Sequence, residues 1–551
     1  MGKSIIKTAT AGLSAASVRA VLGLAVIIAL ISPGLFARAR ASSEDLTPEA
    51  AGDLDSSFGT GGKIAMDFGA LGSAANAIAI QSDGKLIISG TIVLPTGNDF
   101  GVARCNPDGT LDKSFAGGGV ATDFFGGDDR GFAVAIQPDG KIVAAGTATT
   151  AQGGYDFGLA RYNADGTVDT SFGSGGKVTT DFNGGEDVIF AIAIQPDGKI
   201  AAAGYRTDTE GHTSAGLALY NPDGSLVSKG GAGGGGSCGG QEERMATSLA
   251  LEPDGQYLIG GVAYGSRDAF ELIRLNSTGV HDQGFGNCGY VSTDFGGNDD
   301  LNAIALQPDG KIVAAGVTRQ GGMPEFALAR YNTDGSLDSS FGSSGKVITT
   351  SLPKPAAANV VLIQPDNKIV AVGFSTGAAG SDFTLVRYNA DGSLDSSFGS
   401  GGLVKTDFSG TDDAGRAALI QPDGKIVAVG FTTKTAGGPK EVALARYLSA
   451  APDFSIGFDQ STVTAERGTK ARITVTINRV GGFTGSVTVT PPAPEGGIKP
   501  KPADPVTTSD SSAVFKLKVG GSAAVGPQAL TFTATDSSGK TRTATVTIVV
   551  Q

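Results

Sequence analysis

The sequence predicts an all-β chain, a seven-bladed β-propeller followed by a β-sandwich. Gly makes up 86 of the 551 residues, about twice the usual share, without the triplet period of collagen. Two short strings recur seven times, about every 57 residues. Beyond residue 451 that period stops and Thr/Val alternation begins.

Residues 1–41 read as a secretory signal peptide. Lys3, Lys7 and Arg19 make the positive region, Val21 to Phe36 the apolar run, and Ala39-Arg40-Ala41 the small–x–small cleavage pattern. The alternative, an uncleaved anchor, needs a longer apolar run. Residues 42–52 form a linker, 53–451 the propeller and 452–551 the sandwich. The expected location is extracellular or cell-surface, with the periplasm a further destination.

The string Gln-Pro-Asp-Gly-Lys, or a variant, begins at Gln81, Gln137, Gln195, Glu252, Gln307, Gln364 and Gln421. Leu-Asp-x-Ser-Phe-Gly begins at Leu54, Leu111, Val168, Leu337 and Leu394, with degraded copies at Leu226 and around His281. Each unit reads as four strands, shown here by segments from two of them. Ala191 to Gln195 is a first strand, Pro196-Asp197-Gly198 a tight turn, and Lys199 to Gly204 a buried partner. Phe326 to Asn332 exemplifies the third strand and Lys346 to Thr350 the fourth. Seven such units suggest a propeller. The first unit supplies Leu54–Gly59 and a strand over Lys63–Phe68, which the last unit lacks. That predicts an N-terminal clasp that hides the open edges. A straight solenoid, the other architecture, would not explain the complementary ends.

The strings Gly-x-Val-x-Thr-Asp-Phe and Ala-Arg-Tyr-Asn-x-Asp-Gly-Ser complete the unit, which resembles the delta-60 repeats of secreted bacterial proteins over about residues 53–450. The resemblance implies an exported propeller-like array and transfers no general catalytic motif. The tail, with strands expected at Ala471–Ile477, Gly485–Thr490, Ala513–Val519, Ala529–Thr535 and Thr541–Val550, looks like an immunoglobulin-like module.

The chain carries 42 basic and 54 acidic residues. The acidic balance lies in the propeller, which disfavours nucleic acid and anionic lipid as partners. No membrane span is expected after signal cleavage. Three Cys, two His and no Trp exclude zinc clusters, disulfide scaffolds and Trp-based sugar platforms. A Cys238–Cys288 bridge is conceivable, and small buried thiols explain the cysteines equally well.

Acidic pairs precede four first strands: Asp128-Asp129, Glu186-Asp187, Asp299-Asp300 and Asp412-Asp413. Together on one rim they would suit Ca²⁺; simple turn capping explains them too. The repeated Arg104, Arg161, Arg274, Arg330, Arg387 and Arg446 are expected to pair with Asp67, Asp123, Asp181, Asp294 and Asp407 of the fourth strands. A unique site should break the repeat, so ligand contact is expected from Tyr205, Arg206, Asp208, Glu210, His212, Tyr264, Arg267 and Arg319 in the variable loops. The predicted role is a non-catalytic interaction scaffold recognising a protein, glycan or envelope component. Against it stand a hydrolase or lyase with a metal or carboxylate site at the channel mouth, and a purely structural envelope protein.

Overall fold

A computed structural model describes residues 50–551 apart from 69–70, 125, 151–153, 183, 232–242, 451–452, 481–484 and 538. The expected signal peptide, most of the linker and Cys238 lie outside the described residues. Within them no helix is long and apolar enough to cross a membrane.

The turn chemistry of the repeat builds each unit. In the second, the inner strand Arg130–Ile136 turns at Gln137 to Lys141 into the buried strand Ile142–Thr149. Gly140 takes the left-handed conformation there (φ +85°), and the Asp139 carboxylate accepts the Lys141 N–H at 3.0 Å. The third strand Tyr155–Tyr162 and the outer strand Lys177–Thr180 complete an antiparallel meander.

Five four-stranded sheets repeat this order, with inner strands Gly72–Ile80, Arg130–Ile136, Asp187–Ile194, Glu243–Leu251 and Asp299–Leu306. Two more meanders, with inner strands Ala356–Ile363 and Asp412–Ile420, are joined by one parallel bridge between Ser381 and Asp412. The outer strand of the last meander comes from the start of the chain: Lys63–Met66 pairs with Lys440–Tyr447, Lys63 opposite Ala445. Each inner strand lies against that of the next sheet, and Asp412–Ile420 lies against Gly72–Ile80. These repeated four-stranded sheets fit a β-propeller.

Residues 453–550 form a four-stranded and a five-stranded sheet. Alternating residues of both, among them Ile473, Val475, Phe515, Phe532 and Ile548, share one buried core. The Pro-rich stretch between Pro491 and Pro505 holds a short strand, Ile498–Lys501.

Candidate functional site

The repeated residues fasten one sheet to the next. In the fifth sheet the Arg330 Nε donates to Asp338 at 2.8 Å, and the Lys311 ammonium reaches the same carboxylate at 2.9 Å. Arg330 also donates to the Ser340 hydroxyl at 3.1 Å, lies over the Phe341 ring at 4.7 Å, and donates to the Ala390 carbonyl in a turn of the following sheet. Burial works to raise the Asp338 carboxyl. Hydrogen bonds from Lys311 and Ser340 and the charge of Arg330 outweigh it and hold the group well below the usual range. Arg104, Arg161, Arg274, Arg387 and Arg446 pair in the same way with Asp112, Asp169, Asp282, Asp395 and Asp55. Tyrosines of the third strands add further ties, as where the Tyr331 hydroxyl donates to Thr293 at 2.9 Å.

This corrects the expected pairing of the arginines with the fourth-strand acids. The outer strand runs antiparallel to the third, so Thr180 lies opposite Phe157 and Asp181 falls near the start of the third strand. Arg161 stands at its far end, beside Asp169. Asp181 instead meets Asp156 and Asp187, with one oxygen of each within 4.8 Å of the others. Burial, then the charge of Asp181, raises Asp156 to about 6. Asp187 is also raised to about 6, by burial first and by the other two charges, against the hydrogen bond from the Phe182 amide. Asp99, Asp123 and Asp129 repeat the cluster, as do Asp382, Asp407 and Asp413. Lysines stand close to the clusters: Lys405 pairs with Asp382 at 2.9 Å, and Lys63 donates to the Asp407 carbonyl at 2.7 Å.

One acid of each expected pair closes the turn before the inner strand. Asp129, Asp187, Asp299 and Asp413 are buried and accept the N–H of Phe124, Phe182, Phe295 and Phe408 at 2.6–2.7 Å. In the fifth sheet the closing acid is the first of the pair, with Asn298 in the place that Asp128 holds in the second. The Asn98 amide donates to Asp128 at 3.1 Å, Glu186 is exposed, Asp300 pairs with Arg319 at 2.7 Å, and Asp412 is exposed at the cavity described below.

Of the loop candidates only Asp208, Glu210 and His212 gather, with one ligand atom of each within 4.8 Å of the others. His212 Nδ1 lies 3.3 Å from Asp208 and 3.7 Å from Glu210, all three on an exposed loop that Asp208 closes by accepting the His212 and Glu210 amides. Arg206 donates to Ser214 and Arg267 to the Gly296 carbonyl. Two tyrosines approach the centre: the Tyr205 ring lies 6.0 Å from Phe190, and the Tyr264 hydroxyl donates to the Met245 sulfur at 3.8 Å. Cys288 is disulfide-bonded and Cys105 is a buried free thiol.

The residues that sequence reasoning missed stand on the inner strands. Each of the seven strands bulges at one position, five residues before the repeated Gln, or before Glu252 in the fourth. Those positions hold Asn76, Phe132, Phe190, Thr247, Asn302, Asn359 and Arg416. A bulge re-aims its side chain, and here all seven line one cavity of about 910 Å³. Opposite each bulge the second strand has a glycine. A Cβ on Gly204 would lie 1.8 Å from the Val188 carbonyl oxygen, and one on Gly316 2.0 Å from that of Asp300. The glycine of each second strand therefore makes room for the bulge.

The bulged side chains form a belt. Asn76 donates to the Gly131 carbonyl, Thr247 to Leu301, Asn302 to Ala358 and Asn359 to Gly415, each at 2.7–2.8 Å. Arg416 donates to the Asn76 side chain at 2.6 Å. Phe132 and Phe190, which cannot donate, pack with ring centroids 5.2 Å apart. The fixed offset from the repeated Gln was the available signal.

Seven segments match a family model described as "Domain of unknown function (DUF5122) beta-propeller": residues 81–115, 137–172, 195–226, 252–285, 307–341, 364–398 and 421–449. No curated protein matches the chain. Among solved structures, domains 4 and 5 of the S-layer protein SbsC are 20% identical, covering 32% of this chain and 92% of theirs with a TM-score of 0.16. Fructan 1-exohydrolase IIa from Cichorium intybus is 8% identical, covering 87% of this chain and 98% of its own, with a TM-score of 0.22.

Proposed function

We propose that the chain is an exported, non-catalytic binding scaffold: a closed seven-bladed propeller with an immunoglobulin-like module at residues 452–551. Its loop-bearing face recognises a protein, glycan or envelope component. Closure is supported by the contact between Asp412–Ile420 and Gly72–Ile80, by the Lys63–Met66 pairing, and by Arg446, which donates to the Pro107 carbonyl of the first sheet at 2.6 Å. The immunoglobulin-like assignment draws on two sheets around one core, with Thr462–Ala465 parallel to Thr541–Val550. Export draws on the signal pattern of residues 1–41.

One observation carries the scaffold reading. The repeated arginines and third-strand tyrosines are engaged in holding sheets together, and the departures from the repeat lie in the loops between second and third strands and on the cavity wall. A hydrolase or lyase at the channel mouth would draw its carboxylates from Asp412 and Asp413, the acids among the cavity's described lining, and Asp413 is committed to the Phe408 amide. Co-sedimentation of residues 42–551 with cell envelopes of the host, in Ca²⁺ and in EDTA, tests the scaffold. Saturable pelleting is expected, and its loss in EDTA would assign the acid clusters to a metal. No pelleting in either condition would sink the reading.

A further inference from the structure

The belt has one member whose chemistry is unfinished. Among the described residues Arg416 makes a single hydrogen bond, to Asn76, and lies over the Phe431 ring at 5.0 Å. No carboxylate of the described residues stands within ion-pair distance of it, unlike the six arginines of the sheet-to-sheet network. Burial lowers its pKa, the direction expected of a desolvated cation without a counter-charge. The Lys440 ammonium lies over the same Phe431 ring at 4.0 Å and lines the same cavity, its pKa lowered by burial and by Arg416.

Farther round the ring the wall changes character. Phe132 and Phe190 pack together there, with Tyr205 behind Phe190. A volume of about 910 Å³ suits a small molecule, and an apolar wall with a few placed polar groups is the usual form of such sites. The acids at the mouth limit the charge that can enter. Asp412 acts on Lys440, while Asp413 is turned to the Phe408 amide and to Asp382 and Asp407, which leaves the Arg416 guanidinium for a single negative charge.

We propose that the channel is a binding site for a small monocarboxylate with a planar aromatic body. The guanidinium of Arg416 takes the carboxylate through its unused N–H groups, the fork geometry that such groups share. The Phe132 and Phe190 rings take the body. This goes beyond the rim-binding scaffold and stands whether or not envelopes pellet the protein.

Calorimetric titration of residues 42–551 with benzoate, phenylacetate and indoleacetate tests it, with benzyl alcohol as the uncharged and acetate as the bodiless control. Saturable binding is expected for at least one aromatic acid, on the order of tenfold or more tighter than for either control. Arg416→Gln and Phe190→Ala should each weaken it by on the order of tenfold while the melting transition stays cooperative. Arg416→Lys should recover part of the loss. Absence of saturation by all three acids below about 10 mM, or equal binding by a folded Arg416→Gln variant, would overturn the proposal.

Discussion

The third-strand network and the inner-strand belt occupy the same sheets and follow opposite rules. Six sheets carry the same Arg–Asp pair on the third strand, whereas the bulge holds Asn, Phe, Thr or Arg round the ring. One sheet loses the network as a set: Leu219 stands where the arginine would be and Val227 where its acid would be. Its outer strand, Leu226–Gly231, follows the third strand after a short turn. Lys229 nevertheless donates to the Asp181 carbonyl and lies over Phe182, as Lys177 does with Asp123 and Phe124. A buried ion pair can be exchanged for apolar residues as a unit but not by halves, because half a pair leaves an uncompensated charge.

The largest effect should follow from doing it by halves. Arg330→Leu leaves Asp338 with one cation fewer and should cost about 3–5 kcal/mol in urea denaturation. Adding Asp338→Val should return part of that loss, imitating Leu219 and Val227. A double variant as unstable as the sum of the singles would contradict this account.

Next comes the bulge. Gly316→Ala places a methyl group where the Asp300 carbonyl oxygen stands and should cost about 1–3 kcal/mol or more. It should also disturb the bond from Asn302 to Ala358, visible as weakened ligand binding in the channel.

The acid cluster gives a pH signature of the opposite sign to the network. Asp187, raised to about 6, is more readily protonated folded than unfolded. Its contribution therefore favours the native state as pH falls from above 6 towards about 4. Asp55, held down to about 2 by Ser57 and Lys425 against burial, contributes stability above the unfolded value that is lost as pH falls towards 2. Denaturation midpoints should therefore peak between about pH 4 and 6. Asp187→Asn should raise the midpoint at pH 7.5 and flatten the limb above 5. The smallest effect concerns Cys105, whose thiol burial pushes up to about 12. It should resist thiol reagents in the native protein and react on unfolding.

The four-strand unit and its glycine turns were legible because each Asp-Gly turn fixes a hairpin and the strings recur from unit to unit. The arginines were legible as a set but not their partners, since antiparallel pairing carries Asp181 away from Arg161 and brings Val168-Asp169 back beside it. The bulge was hidden because Ala191 to Ile194 reads as plain alternation, and the extra residue, Phe190, lies just before it. Asp299-Asp300 looked like the other acidic pairs, yet the closing acid there is Asp299 because Asn298 holds the preceding position.

On this reading the residues repeated from sheet to sheet hold the fold, and the exceptional Arg416 serves a ligand. Urea denaturation of Arg330→Gln beside Arg416→Gln tests it directly. A loss of about 3–5 kcal/mol is expected for the first and less than about 1 kcal/mol for the second. Equal losses would contradict it and make Arg416 one more strut of the scaffold.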